Sequence, residues 1–349
     1  MSAPLVVLDA DVLGRRRTGD ETYVTALLRE LPAVAPELRF GAVTRQPELV
    51  PEGVEPIELP ARGQPFRMAV RLPRLLRRRR PALAHYQHVV APLTGVPGVV
   101  TVHDLSWERD RRLMSARDRF FFGTMVPRSA RRAARILAVS ERTKRDLVEL
   151  YGVPEARIVV TPNGVDPEFT PSGPAHDGPP YALFVGALGR RKNPVAAIEA
   201  LPLVDAELRL VLAGPDKGGG EAARAAIARH GLDGRVELAG YVPKQELAAL
   251  YRGAACLVLP SRYEGFGLPV LEAMASGTPV VATAAGALGE VAGDAAILVE
   301  EPDPVALAGA IERALADRER LVRAGLARAR AFSWRATAER TAAVYRELL

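Results

Sequence analysis

Only one cysteine occurs in this chain, Cys256, so an internal disulfide is excluded. Its setting, Ala255-Cys256-Leu257-Val258-Leu259, reads as small core packing in a reducing compartment. No apolar run approaches the ~20 residues that a membrane span needs. The start, Met1 to Asp9, has neither the basic stretch nor the long apolar stretch of a secretory signal. Together these absences predict a cytoplasmic protein or one peripheral to the inner face of a membrane. Metal-ligand spacing is also missing: the histidines and acids form no constellation, and no Asp-x-Asp ends a strand in a plausible ligand site. No catalytic metal is expected. The run Gly218-Gly219-Gly220 lacks the Lys-Ser/Thr of a phosphate loop and reads as a flexible surface turn.

What is present suits a large globular chain. Its 349 residues, 48% hydrophobic and 25% charged, can bury a sizeable core, and the length favours two domains. The net charge of +6 is uneven: residues 1–170 hold 27 Lys+Arg against 20 Asp+Glu, and the remainder holds 20 against 21. The densest basic stretch is Arg71-Leu72-Pro73-Arg74-Leu75-Leu76-Arg77-Arg78-Arg79-Arg80. Two readings stand for it: an amphipathic helix in peripheral contact with anionic membrane, or a solvated helix end. It carries no aromatic interleaving and no nucleic-acid motif, so no nucleic acid is expected as a partner.

Short β-branched runs alternate with longer helical patterns: Leu5 to Leu8, Phe40 to Val43, Val99 to Val102, Ile136 to Val139 and Ile158 to Thr161. A proline- and glycine-rich stretch at 166–180 then interrupts the pattern and reads as a linker. The alternation resumes with Tyr181 to Val185, Leu208 to Ala213, Val236 to Leu238, Ala255 to Leu259 and Pro279 to Ala282. The expectation is an α/β protein of two Rossmann-like doubly wound domains facing each other across a cleft. Residues 1–165 and 181–332 form the domains. Residues 333–349, with Trp334, Ala338, Thr341 and Tyr345 on one stripe, form a helix that packs back across the junction.

The segment Pro260-Ser261-Arg262-Tyr263-Glu264-Gly265-Phe266-Gly267-Leu268-Pro269-Val270-Leu271-Glu272 follows an apolar strand and enters a helix whose first turn tolerates Pro269. Its amides near Phe266, Gly267 and Leu268 then point out of a helix amino terminus at the carboxyl edge of a sheet, an anion site suited to a diphosphate. Glu272, one turn further on, can accept two hydrogen bonds from a vicinal diol such as a ribose. Glu264 lies earlier on the loop, nearer to where a sugar would sit. His103 ends the apolar strand before Asp104; it is either a core histidine or a group facing the cleft.

The spacing of Glu264 and Glu272 resembles the Glu-x7-Glu motif of the retaining glycosyltransferases of family four, including bacterial mannosyltransferase-like members, whose fold is GT-B. The likeness continues through Ala138 to Thr143, Thr161 to Asp166, Gly240 to Pro243 and Glu290 to Asp294. The resemblance implies that Glu272 binds the donor ribose and that Glu264 contacts the transferred sugar. The amides of Phe266, Gly267 and Leu268 then hold sugar hydroxyls or phosphate, and Arg191 and Lys192 grip the diphosphate. It gives His103 a contact with the donor sugar and Gly19 a close approach to the diphosphate. Gly186 and Val242 complete the donor set; His85 and His88, which end a strand on the same side as His103, are placed near the acceptor by that position. Two departures stand out: Ala187 replaces a common arginine, leaving Arg190 or Arg191 to compensate, and Asp20-Glu21 replaces a second glycine at a helix entered near Glu21.

By that likeness the chain moves a hexose or deoxyhexose, with retention, from a nucleoside-diphosphate sugar to a saccharide, lipid-linked or small-molecule acceptor. GDP-mannose is the leading donor, and no cofactor besides this co-substrate is implied. The alternatives are a sugar-nucleotide epimerase on the same fold, or a non-catalytic membrane-attached binding protein.

Overall fold

A computed structural model of the chain describes residues 3–15, 18–60 and 63–349. It divides into two compact units, Met1–Arg109 with Ala116–Gly164 and Ser333–Leu349, and Asp110–Ser115 with Val165–Phe332. Arg16 and Arg17, part of the loop that leads to Gly19, lie outside the described residues.

In the first unit β1 (Leu5–Asp9), β2 (Arg39–Thr44), β3 (Glu55–Glu58), β4 (Leu83–Gln87), β5 (Gly98–Val102), β6 (Arg135–Ala138) and β7 (Ile158–Val160) form one sheet ordered β3-β2-β1-β4-β5-β6-β7. In the second, β8 (Tyr181–Val185), β9 (Arg209–Ala213), β10 (Val236–Gly240), β11 (Cys256–Leu259), β12 (Val280–Thr283) and β13 (Ile297–Val299) are ordered β10-β9-β8-β11-β12-β13. All of these pairings are parallel. Each sheet is doubly wound, reversing between β1 and β4 or between β8 and β11. Such a reversal opens a crevice outside the carboxyl ends of the strands, where ligands bind in this class of sheet.

Strands covered by helices on both faces read as unbroken apolar runs, and β5 and β8 are buried at every position. β3 departs from that pattern, because only Ile57 of its four residues is buried and Pro56 lies within it. A proline is tolerated there because β3 is the edge strand of its sheet.

The closing helix Trp334–Leu348 belongs to the first unit and packs on the helix Thr18–Val34. Its stripe of Trp334, Ala338, Thr341 and Tyr345 is buried. The stretch 166–180, expected as a linker, is docked on the second unit. Asp166 accepts from Lys244 Nζ at 2.6 Å, Phe169 meets the Tyr251 ring edge-on, and the His176 amide donates to the Ala249 carbonyl.

The basic stretch forms the helix Leu72–Arg79, with Leu72 and Leu76 buried and Arg71, Arg74 and Arg77 to Arg80 exposed. Leu72 and Leu76 are used in the unit's own core and are not available to insert into a bilayer; Leu75 is half-buried, and the open face is mainly arginine. Just before it, Arg67 is fully buried and grips Asp9 with two nitrogens, at 2.5 and 3.1 Å. Asp9 and Asp11 do form an Asp-x-Asp at the end of β1. Arg67, Arg45 and Arg15 occupy these two carboxylates, which makes them structural anchors.

Candidate functional site

In the second unit the chain after β11 turns through Ser261 to Gly267 into the helix Leu268–Ala275. Gly267 caps that helix at φ +103°, and a Cβ there would lie 2.5 Å from the Leu288 side chain. Both the left-handed backbone and the close approach select glycine. Pro269 occupies the first turn, where its missing N–H leaves no bond unmade. The Phe266 ring is buried edge-on against Phe332, so the ring packs the unit's interior and does not present itself to a ligand.

Glu264 is buried at 4% exposure and is the centre of an ion cluster. Arg191 Nη1 donates to its Oε2 at 2.8 Å and to the Tyr263 carbonyl at 3.1 Å. Lys192 Nζ lies 2.8 Å from Oε1, which also accepts from Ser261 Oγ at 2.6 Å. Burial alone would raise the pKa of Glu264, but the two cations and these hydrogen bonds outweigh it and hold the carboxylate at about 2. Lys192 shifts downward because burial disfavours its charge, with Glu264 opposing. Arg190 is exposed, and Arg191 is the arginine that joins the cluster. Lys192 runs past Gly186, where a Cβ would sit 3.1 Å from its methylenes.

Glu272, on the helix Leu268–Ala275, accepts a hydrogen bond from Tyr251 OH at 2.8 Å. Burial pushes its pKa up to about 7, with the Tyr251 bond and the charges of Lys192 and Lys244 pulling the other way. Two carboxylates of the same segment therefore differ by several units: Glu264 is fixed as an anion, and Glu272 titrates near neutrality. Val242, half-buried, lies in the loop between β10 and the helix Lys244–Gly253.

The first unit gathers a separate group at its own reversal point. Gly19 lies in the first turn of the helix Thr18–Val34, which starts three residues before the expected Glu21. His103 follows β5, with Nε2 2.8 Å from Gln87 Oε1 and Tyr23 edge-on at 4.9 Å. Burial drives its pKa down to about 4, so the ring is neutral at physiological pH. His88, after β4, is tilted against His103 at 5.2 Å. Asp20, His88 and His103 present ligand atoms all within 4.8 Å of one another. No spacing in the sequence displays this grouping, because Asp20 lies in the first turn of the helix Thr18–Val34 while His88 and His103 follow two different strands.

His85 is also placed differently from the expectation. Its side chain is fully buried, with Nδ1 2.6 Å from Tyr345 OH and Nε2 2.7 Å from Thr101 Oγ1, and burial drives its pKa down to about 3. It is a neutral core histidine that ties the closing helix to the sheet, and it offers nothing to an acceptor.

Residues 166–329 match the family described as glycosyl transferases group 1, and residues 17–169 match glycosyltransferase family 4. A D-inositol 3-phosphate glycosyltransferase of Geodermatophilus obscurus is 32% identical over 375 aligned positions, covering 95% of this chain and 81% of that protein. The chain belongs to glycosyltransferase family 4. The O-antigen chain mannosyltransferase B of Escherichia coli is 34% identical over 230 residues, 61% of this chain and 60% of its relative. The chain thus spans about three fifths of the length of that curated relative. Among solved structures, the sucrose-phosphate synthase of Thermosynechococcus elongatus superposes with a TM-score of 0.79 at 24% identity, over 99% of this chain and 98% of that one. That likeness establishes the GT-B fold.

Within this family 4 chain, several supporting residues escape a reading of the sequence. Tyr251 looks like helix core but holds Glu272, and Ser261 looks like loop filler but holds Glu264. Gly286, at φ +68°, has no room for a Cβ against the Glu264 backbone, and the next amide, of Ala287, donates to the Glu264 carbonyl at 2.8 Å. The turn 218–220 also has a role: Asp216 Oδ1 accepts from its three amides at 2.8 to 3.0 Å, and the Gly219 amide donates to the Leu188 carbonyl. That bracing supports the loop that carries Arg191 and Lys192, and its only sequence signal is an aspartate before consecutive glycines.

Proposed function

We propose that this protein is a retaining, metal-independent glycosyltransferase that transfers a hexose from a nucleoside-diphosphate sugar to a saccharide, lipid-linked or small-molecule acceptor. The observation that carries the reading is the cluster of Glu264, Arg191 and Lys192 beside Glu272, at the carboxyl edge of the second sheet where its order reverses. A diphosphate leaving group develops negative charge, and two fixed cations with a helix amino terminus meet it without a metal ion. Glu272 in its ionised form takes the ribose diol, and Val242 and the amides of Phe266 to Leu268 line the remainder of the donor.

In the transfer itself the bond between the anomeric carbon and the diphosphate oxygen breaks, and the acceptor oxygen bonds to that carbon on the same face. The acceptor's proton passes to an oxygen of the departing diphosphate. That group carries more negative charge in the transition state than in the bound donor, so Arg191 and Lys192 favour the transition state over the ground state. His103 and Gly19, from the first unit, are assigned to the donor sugar and the diphosphate, and His88 to the acceptor side.

Mannose from GDP-mannose is the favoured cargo, since two relatives are named as mannosyltransferases. No helix among the described residues is long and apolar enough to cross a membrane. A cytoplasmic location with the exposed arginines of 71–80 against an anionic inner leaflet fits a lipid-linked acceptor. The test is nucleoside diphosphate release from a panel of sugar nucleotides with mono- and oligosaccharide or lipid-linked acceptors, followed by NMR of the product's anomeric proton. Turnover of one donor with retained anomeric configuration supports the reading; inversion, or donor interconversion without an acceptor, overturns it.

A further inference from the structure

The group formed by Asp20, His88 and His103 in the first unit has features that the transfer reaction does not call for. His88 Nδ1 is buried and has no hydrogen-bond partner. His88 itself sits at φ +57°, a conformation uncommon for a residue other than glycine and one that tends to be kept where a side chain must be aimed. Its ring is walled by Trp107 and Phe122 at 6.0 and 5.7 Å between centroids, and Phe122 is in turn stacked on Trp107. The Gln87 amide oxygen accepts from Nε2–H of His103, which fixes that ring and leaves the lone pair on Nδ1. An amide or carboxylate oxygen on the far nitrogen is how metal-binding imidazoles are oriented.

We propose that Asp20, His88 and His103 form a site for one divalent transition-metal ion of the zinc class. Two imidazole nitrogens and one carboxylate oxygen would bind the ion, with a coordination position left to water. Two nitrogens and one oxygen suit zinc or its neighbours and do not suit calcium or magnesium, which take oxygen ligands. With bonds of about 2.1 Å, tetrahedral ligands stand roughly 3.4 Å apart. One ligand atom from each of the three residues already lies within 4.8 Å of the others, so binding an ion asks them to draw closer by more than an ångström. Asp20 belongs to the Asp20-Glu21 pair, where this chain departs from the second glycine of the family resemblance.

One consequence rests on the proposed function. His103 is assigned to the donor sugar, so an ion on its Nδ1 and a productive donor exclude each other, and the ion inhibits transfer. The binding claim stands apart from this and is tested without any sugar nucleotide.

Metal-stripped protein is titrated with Co2+ while visible absorption is recorded, for the wild type and for Asp20→Asn and His88→Gln. Circular dichroism melts identify which variants keep the fold, and either variant that keeps it decides the question. The expected result is a saturable visible band at one equivalent that Zn2+ displaces, with affinity weakened about tenfold or more in the folded variant. Absence of a band at one equivalent overturns the proposal. So does a band of unchanged affinity in the folded variant, which would place the ion elsewhere on the chain.

Discussion

Replacing Glu264 by glutamine keeps its shape and removes its charge, leaving Lys192 and Arg191 without their shared partner. The Glu264 side chain is 6% exposed and that of Lys192 12%, so solvent screens the pair little. The pKa of Glu264 falls from 4.5 to about 2 on folding, and at ~1.4 kcal/mol per unit that amounts to roughly 3 kcal/mol favouring the folded charged form. A similar cost, about 3–5 kcal/mol, is typical when one partner of a buried pair is removed. The sign with pH is fixed: a depressed carboxylate contributes fully above about pH 4.5, and the contribution is lost as pH falls through 2. The wild-type advantage is therefore about 3 kcal/mol at pH 7 and roughly 1.4 at pH 3. Both tryptophans, Trp107 and Trp334, lie in the first unit, so the assay is amide hydrogen exchange of β11 and β12, which reports opening of the second unit. Their protection factors should drop by about 300-fold at pH 7, with the gap narrowing at pH 3. A loss below tenfold, or one independent of pH, would refute the ion-cluster account.

Three further outcomes follow from the geometry. Glu272 titrates near 7, and the ribose diol needs its ionised form, so GDP-mannose should bind about tenfold more weakly at pH 6 than at pH 8 by calorimetry. The slope should vanish in Glu272→Gln. Arg67→Met leaves Asp9 buried and unpaired and should cost about 3–5 kcal/mol in urea unfolding read by tryptophan fluorescence, most of it recovered in Arg67→Met with Asp9→Leu. Vesicles with anionic lipid should hold the protein at low salt and release it at 0.5 M salt, and neutralising Arg77, Arg78 and Arg79 to glutamine should abolish the binding.

The two doubly wound sheets were legible because strands buried on both faces, such as Val99 to Val102 or Tyr181 to Val185, show as unbroken apolar runs. β3 was hidden because an edge strand with one buried residue and a proline carries no such signal. In the site, Glu264 and Glu272 were legible from their setting of strand, glycines and helix start, and Arg191 and Lys192 from the family likeness. What joins them was not: Tyr251 lies 21 residues from Glu272, and the Lys192 pair with Glu264 bridges two different strand ends. His85 shows the opposite difficulty. A histidine near the end of a strand looks available to a ligand, yet side chains alternate along a strand, and this one turns inward to Tyr345 and Thr101.

Calorimetry of GDP-mannose, with other sugar nucleotides alongside, on the wild type and on Lys192→Met tests the central claim most directly. The account predicts one binding site on the wild type and, at 100 times Kd, about 2.7 kcal/mol of added stability, both lost in Lys192→Met while the fold is kept. Equal binding by the two proteins, or no binding of any sugar nucleotide by the wild type, would contradict it.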